Sequence, residues 1–395
     1  MKICVLKESL CLGGTERSAA NISRILNHDH EVLVALYDGS RVEYEYGGKL
    51  IDLKAPAASS PVVKILRNIQ RFLRYKKVVR KEKVDILFEF ISINTPLNKY
   101  PFNRFRYKRQ IKIISARDFS AMQTHKARFH QILKRSDAMV CNSEYLKNYY
   151  LSYYPEHKEK VFAVYNVIDI DQITAQAKES CDPGFLSFVE AHNKTIVGVG
   201  RFCREKGFEH LIRAFATVNR QTSGQTGLVL IGDGNFRSEY EALIDRYDLS
   251  DHVYFTGFQK NPYQYMARCD CFVLSSLSEG FPNVLAEAMA LQLPVIAANC
   301  YSGPAEILRK DNDYHAVREQ FSECDYGIIT PRFGEGNDDK ATDELAAAVL
   351  HLLNDEQLLE KYAALAKERA QEFSPEAARN RLNGIFKFLK GGLQK

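Results

Sequence analysis

The stretch Cys271-Phe272-Val273-Leu274-Ser275-Ser276-Leu277-Ser278-Glu279-Gly280-Phe281-Pro282-Asn283-Val284-Leu285-Ala286-Glu287 reads as a strand, a turn and a helix. Cys271–Leu274 is a short apolar run of the kind that is buried in a parallel sheet. Gly280 supplies the turn, and Pro282 stands where a helix should begin. The helix start then offers free backbone N–H groups, those of Asn283 and Val284 included, to an incoming anion. Glu279 precedes the turn and Glu287 lies about two turns into the helix. A rise of 1.5 Å per residue puts them ~12 Å apart, too far for the ~6.5–9.5 Å carboxyl pair of an inverting glycosidase. The residues therefore suggest two separate readers of hydroxyl groups; a pair of exposed helix carboxylates is the plainer alternative.

The same alternation runs outward in both directions. Strands are expected at Lys2–Leu6, Glu31–Tyr37, Val84–Phe88, Ile111–Ser115, Ala138–Cys141 and Val161–Val164. After the polar stretch Ser180–Gly184 they resume at Thr195–Val199, Gly227–Ile231, His252–Thr256, Cys271–Leu274, Pro294–Ala297 and Gly327–Ile329. Short β-branched runs alternating with amphipathic stretches describe an α/β chain with parallel sheets. The pattern occurs twice, which predicts two Rossmann-like domains, residues 1–185 and 186–373. A last helix over 374–390 is expected to pack back on the first domain. Open sheets bind ligands beyond the carboxyl ends of their strands, so a two-substrate site facing a cleft is expected.

Length and composition agree. The 395 residues exceed one ordinary core, and 45% apolar with 26% charged residues fits a folded globular protein. The nine cysteines are scattered with no C-x-x-C pair, which disfavours disulfide or metal roles. The charged start of the chain and the lack of a long apolar run predict a cytoplasmic protein without a signal peptide or membrane span. Residues 1–185 carry a net +11 and residues 186–395 a net −6, so the halves are expected to meet different partners.

Two further segments suit phosphate. Gly13-Gly14-Thr15-Glu16-Arg17 follows the first strand and opens a helix, where glycine allows close backbone approach. Gly200-Arg201 and Lys206-Gly207 leave the first strand of the second half, with a planar guanidinium and a point charge for a diphosphate. Neither Gly198-Val199-Gly200-Arg201-Phe202-Cys203 nor Gly232-Asp233-Gly234 completes G-x-G-x-x-G, and no P-loop is present. Dehydrogenase and P-loop readings lose most of their support.

Taken together, these pieces resemble glycosyltransferase family 4. The E-x7-E spacing of Glu279 and Glu287 is joined, in the family's order, by Gly13-Gly14-x-Glu16, Asn142-Ser143-Glu144, Tyr165-Asn166, Gly200-Arg201 with Lys206-Gly207, Gly232-Asp233-Gly234, Gly257-Phe258, Glu279-Gly280-Phe281-Pro282-Asn283 and Gly303-Pro304-Ala305-Glu306-Ile307. The resemblance implies the GT-B architecture and transfer from a nucleotide-sugar donor with retention of configuration, with no cofactor and no required metal. It implies that Glu287 binds the donor ribose and Glu279 the transferred sugar, while Arg201 and Lys206 neutralise the diphosphate. Backbone N–H groups at Asn283 and Val284 would hold the distal phosphate with Gly14 closing over it, Gly280, Phe281 and Pro282 would belong to the same donor-binding turn, and Gly257-Phe258 would border the base. Where many members have histidine, this chain has Ser115-Ala116-Arg117-Asp118, which places Arg117 near the donor sugar or phosphate. The resemblance also implies a hexose or N-acetylhexosamine from a UDP-linked donor, passed to a lipid-linked or growing glycan acceptor in surface-polysaccharide synthesis. A GDP-mannose donor, a soluble acceptor, a nucleotide-sugar epimerase or hydrolase, and a non-catalytic sensor stay open.

Lys64 to Lys81 holds eight basic residues and no acid, with Lys64, Arg67, Arg71 and Arg74 at helical spacing. Lys99–Lys112 interleaves Arg104 and Arg106 with aromatic residues. Such faces suit an anionic membrane surface, at about 1 kcal/mol per basic residue, and predict peripheral attachment to the inner face of the cell membrane. The expected arrangement turns the charges outward and packs the helix's apolar side on the first sheet. No nucleic-acid module is visible, so nucleic acid is not an expected partner.

Overall fold

The computed structural model describes residues 1–11, 13–57, 60–90, 111–117, 119–311 and 319–393. The chain forms two compact units, Met1–Val167 with Pro375–Lys395, and Ile168–Ser374. The first holds a sheet of β1 (Lys2–Lys7), β2 (Glu31–Leu36), β3 (Lys49–Asp52), β4 (Ile86–Glu89), β5 (Ile111–Ala116), β6 (Ala138–Cys141) and β7 (Val161–Ala163). The second holds β8 (Lys194–Val199), β9 (Thr226–Ile231), β10 (Val253–Gly257), β11 (Cys271–Leu274), β12 (Ser278–Glu279), β13 (Val295–Ala298), β14 (Tyr301–Ser302), β15 (Ser322–Glu323) and β16 (Ile328–Thr330).

The orders are β3-β2-β1-β4-β5-β6-β7 and β10-β9-β8-β11-β13-β16-β15, with β12 and β14 paired apart from both sheets. Each is a doubly wound order that reverses direction once, between β1 and β4 and between β8 and β11. At such a reversal the following connections leave to opposite sides and open a crevice beyond the strand ends. The paired strands are parallel except β15 with β16. All the strands that carry candidate residues therefore end on the same edge of their sheet.

The division falls at Val167 and not near residue 185. Residues 168–185 belong to the second unit because their side chains are spent there. Asp182 accepts from Tyr254 Oη at 2.8 Å and Tyr265 Oη at 3.2 Å. Fully buried Phe185 packs edge-on to both of those rings. The terminal helix Pro375–Leu393 joins the first unit. Ala378, Leu382, Ile385 and Phe386 enter the core that contains β1 and β2 residues, and Asn383 bonds His30 and Asp29.

All nine cysteines carry free thiols. Among the described residues no helix is long and apolar enough to cross a membrane.

Candidate active site

In the second unit the connection after β8 is tied down on both sides. Phe202 is wholly buried and meets Phe208, Tyr240 and Phe255 edge to face at 5.3, 5.5 and 5.8 Å. Its backbone N–H donates to Asp233 O at 2.9 Å, and its carbonyl accepts from Phe236 N. The Gly232-Asp233-Gly234 turn passes so close that a Cβ on Gly232, at φ +146°, would collide with Gly200 O. Those glycines thus press against the Gly200–Phe202 backbone and need no phosphate to explain them. Further along, Leu277 N donates to Glu205 O at 2.8 Å and Ser275 Oγ to Lys206 O at 3.1 Å. Gly207 takes φ +62°, where a Cβ would strike Ser275 O. The β8 and β11 connections are therefore laced together at the reversal of the sheet.

Two of the expected residues meet there. Lys206 Nζ lies 2.6 Å from Glu279 Oε1, and Ser276 Oγ donates to the same oxygen at 2.8 Å. Lys206 crosses the face of Gly200, whose hypothetical Cβ would sit 3.3 Å from Lys206 Cδ. The side chains of Lys206 and Glu279 are 27% and 12% exposed, so this ion pair is partly dry yet open to a ligand. Arg201 is exposed, with no ion pair or side-chain hydrogen bond among the described residues. Ser276 is a supporting residue that sequence reasoning missed, since a serine in a turn carries no signal of its partner.

The carboxylate spacing expected along one helix is corrected. Glu279 is in β12, paired with Ser302 of β14, and the helix runs only from Asn283 to Ala290. The chain turns at Gly280–Pro282, so rise per residue does not measure the distance from Glu279 to Glu287. Glu287 sits in the second helical turn and is buried. Pro282 occupies the N-cap position, and Leu285 N donates to Pro282 O at 3.0 Å. The Phe281 ring is committed to packing on Phe373 at 5.3 Å, which leaves its main chain alone to face a ligand. Gly303 backs this turn, with Pro282 Cδ 2.5 Å from where its Cβ would be. Gly257 ends β10 at φ +69°, and the Phe258 ring beyond it is 71% exposed.

The first unit gathers a second group at the carboxyl ends of β5 and β6. Arg117 Nε donates to Ser115 Oγ at 2.8 Å and Nη1 to Asn166 Oδ1 at 2.7 Å. Its guanidinium lies 5.3 Å from the Phe90 ring centre, and its carbonyl accepts from Asn142 Nδ2. Asn166 Oδ1 also accepts from Ser18 Oγ at 3.5 Å, on the helix Gly14–Leu26. The motifs Asn142-Ser143 and Tyr165-Asn166 thus converge on Arg117. Burial pulls the guanidinium down to about 10, where it is still protonated at neutral pH. Among the described residues Nη2 has no hydrogen-bond partner. A buried cation held by neutral oxygens is a receptor for negative charge. Gly14 is exposed, and a Cβ there would meet nothing within 4 Å. Glu16 is held by Lys7 Nζ at 3.0 Å, which makes it a brace of the glycine turn.

The basic helix, Pro61–Lys81, reverses the expected arrangement. Val62, Ile65, Leu66, Ile69 and Leu73 are 68, 63, 62, 40 and 57% exposed. Arg71 instead turns inward, donating to Ala55 O at 2.7 Å and lying over the Tyr37 ring. Arg74 bonds Leu53 O and Lys54 O. Tyr75 and Val79, in the last two turns, enter the core, with Phe72 and Val78 packed against it. Arginine side chains satisfying loop carbonyls thus share with these residues the holding of the helix, for which apolar packing was expected. Arg67 bonds Gln70 on its own helix. Arg104 and Arg106 lie outside the described residues.

Comparison with known proteins follows the same division. A model described as Glycosyltransferase Family 4 matches residues 12–172, and one described as glycosyl transferases group 1 matches residues 187–323. A Campylobacter jejuni N-acetylgalactosamine-N,N'-diacetylbacillosaminyl-diphospho-undecaprenol 4-alpha-N-acetylgalactosaminyltransferase is 27% identical over 389 residues, 94% of this chain and 95% of that protein. An uncharacterized glycosyltransferase of Methanocaldococcus jannaschii is 30% identical over 252 residues, 62% of this chain and 61% of that protein. Among solved structures, Anabaena HepE in complex with UDP gives a TM-score of 0.70 at 22% identity, covering 98% of this chain and 100% of that one. With two Rossmann-like sheets, the architecture is that of GT-B glycosyltransferases, and the chain belongs to glycosyltransferase family 4.

Proposed function

We propose that this glycosyltransferase moves a hexose or N-acetylhexosamine from a UDP-sugar, with retention of configuration, onto a lipid-linked or growing glycan in surface-polysaccharide synthesis. The observation that carries the reading is the Lys206–Glu279 pair at the sheet reversal, 2.6 Å long and half sheltered, beside a helix start and a buried Glu287. Breaking a sugar–phosphate bond leaves negative charge on the diphosphate. Lys206 and exposed Arg201 offer two cations to it, and the first turn of the helix Asn283–Ala290 offers its dipole. An arriving diphosphate would draw Lys206 away from Glu279 and release that carboxylate to accept from a sugar hydroxyl. Glu287, buried in the second turn, would take the ribose hydroxyls. Lys206 and Arg201 together bring two positive charges to the leaving diphosphate, and transfer is proposed to proceed without a metal ion. UDP is favoured because HepE, the fold relative, is seen with UDP. A lipid-linked acceptor is favoured by the undecaprenol-linked substrate named for the Campylobacter relative.

The exposed apolar side of the helix Pro61–Lys81 supports a membrane surface as the partner that presents such an acceptor. Exposed Lys77 lies on that same side at helical spacing and suits anionic headgroups, in keeping with attachment to the cytoplasmic leaflet.

The test is transfer itself. The full chain is incubated with UDP- and GDP-sugars and an undecaprenyl-diphosphate glycan, and the new linkage is read by NMR. An α-linked product from one UDP-sugar supports the proposal, and its loss by about 100-fold or more in Glu279→Gln supports the site. An inverted linkage, or sugar released without acceptor, overturns it.

A further inference from the structure

The helix Phe119–Leu133 and the turn Pro155–Lys160 bring two imidazoles and a carboxylate together, apart from the residues discussed so far. His157 Nε2 is 3.1 Å from His130 Nδ1. Glu156 Oε1 lies 3.8 Å from His130 Nδ1 and 4.0 Å from His157 Nε2. Two imidazole nitrogens at ~2.0–2.1 Å from a tetrahedral zinc ion stand ~3.4 Å apart, and a carboxylate oxygen binds at about the same range. The nitrogen pair is within a few tenths of an ångström of that spacing. The carboxylate stands slightly wide, but the Glu156 side chain is 56% exposed and free to swing in.

The two rings are already fixed. His130 stacks on Tyr154 at 4.0 Å with 13° between planes, and His157 is 7% exposed beside the Tyr150 ring. An imidazole coordinates in its neutral form. Lys134 and Lys160 repel a cation, so the site suits a tightly held transition ion over a weakly bound hard one. Nitrogen ligands point the same way, since magnesium and calcium prefer all-oxygen shells.

We propose that His130, Glu156 and His157 form a divalent transition-metal site, best suited to zinc, with a fourth position open to water. Each nitrogen donates a lone pair, and the proton now shared between the rings moves to the other nitrogen of the ring that carries it, so both imidazoles stay neutral. The ion clamps the helix that follows Arg117 to the turn before β7, beyond the kink at His125 (φ −123°, ψ 26°). Its role is to hold that helix, and it takes no part in the transfer step.

The test uses the full chain stripped with EDTA and titrated with Co2+, then Zn2+. One equivalent of Co2+ with a visible d–d band, discharged by Zn2+, is expected. Zinc should raise Tm by roughly 5 °C at a hundredfold excess over Kd. Glu156→Gln, at an exposed position, should weaken binding about 10-fold or more, and His130→Asn should abolish the band. Three results overturn the site. They are no band in the wild type, binding unchanged in both variants, or thiolate charge-transfer absorption alone, which would assign the ion to part-exposed cysteines such as Cys11, Cys203 or Cys324.

Discussion

Lys206 and Arg117 pose the same electrostatic question and answer it differently. Lys206 has a carboxylate partner at 2.6 Å, so its charge is balanced before any ligand arrives. Among the described residues Arg117 has only neutral acceptors, Ser115 and Asn166, and carries the cost of desolvation. A cation kept this way gains more from an incoming anion than one that must first leave a partner. Arg117→Met is therefore expected to cut transfer by about 100-fold while shifting stability by no more than about 1–2 kcal/mol, since removing a dry charge offsets the lost hydrogen bonds. Initial rates and a urea melt on the same preparation check this; wild-type turnover would remove Arg117 from the site. The sequence pointed to Arg117 through its neighbours in order. It could not give the convergence of Asn142 and Asn166, because those contacts join residues far apart along the chain.

The elements explain why the candidate residues stand where they do. The loop after β8 is held by Phe202, whose ring fills the space among Phe208, Tyr240 and Phe255. Phe202→Ala is expected to cost about 3–5 kcal/mol and to raise KM for the donor, because Arg201 and Lys206 lose their shared anchor. A chemical melt with donor kinetics tests both; a stable variant with unchanged KM would refute the link. The helix Pro61–Lys81 shows the opposite lesson. Its 3.6-residue spacing marked an amphipathic helix, and periodicity alone does not say which face turns inward. Arg71 and Arg74 decided that by bonding loop carbonyls. Burying a leucine is worth about 1.5–3 kcal/mol, against about 1 kcal/mol for each surface lysine. Leu66→Asp with Leu73→Asp should thus weaken cosedimentation with anionic vesicles at least about 10-fold without lowering Tm. Equal binding by that variant would remove the helix as the contact. The strand β3 escaped sequence reading for a similar reason: Lys49-Leu50-Ile51-Asp52 is a four-residue edge strand whose two apolar residues give too short a pattern.

At the scale of the molecule, doubled strand–helix alternation was enough to indicate two parallel sheets, and their orders put Gly13–Glu16 after β1 and Arg201–Lys206 after β8, each beside a reversal. The boundary was placed too late, near 185, because a polar Pro- and Gly-containing stretch looks like a linker. In the structure Asp182 is bonded to Tyr254 and Tyr265, a use of polarity that composition does not reveal. The second unit is proposed to read a nucleotide sugar through Lys206, Glu279 and Glu287. The direct measurement is a titration of the full chain with UDP, GDP and their sugars, followed by thermal shift and calorimetry, in the wild type and in Glu287→Ala. A ligand that binds only the folded state stabilises by about 2.7 kcal/mol at a hundred times its Kd. The account predicts that stabilisation with UDP and one UDP-sugar, weakened at least about 10-fold in affinity in Glu287→Ala relative to that variant's own baseline. Binding of no nucleotide, or equal binding by both proteins, would contradict it.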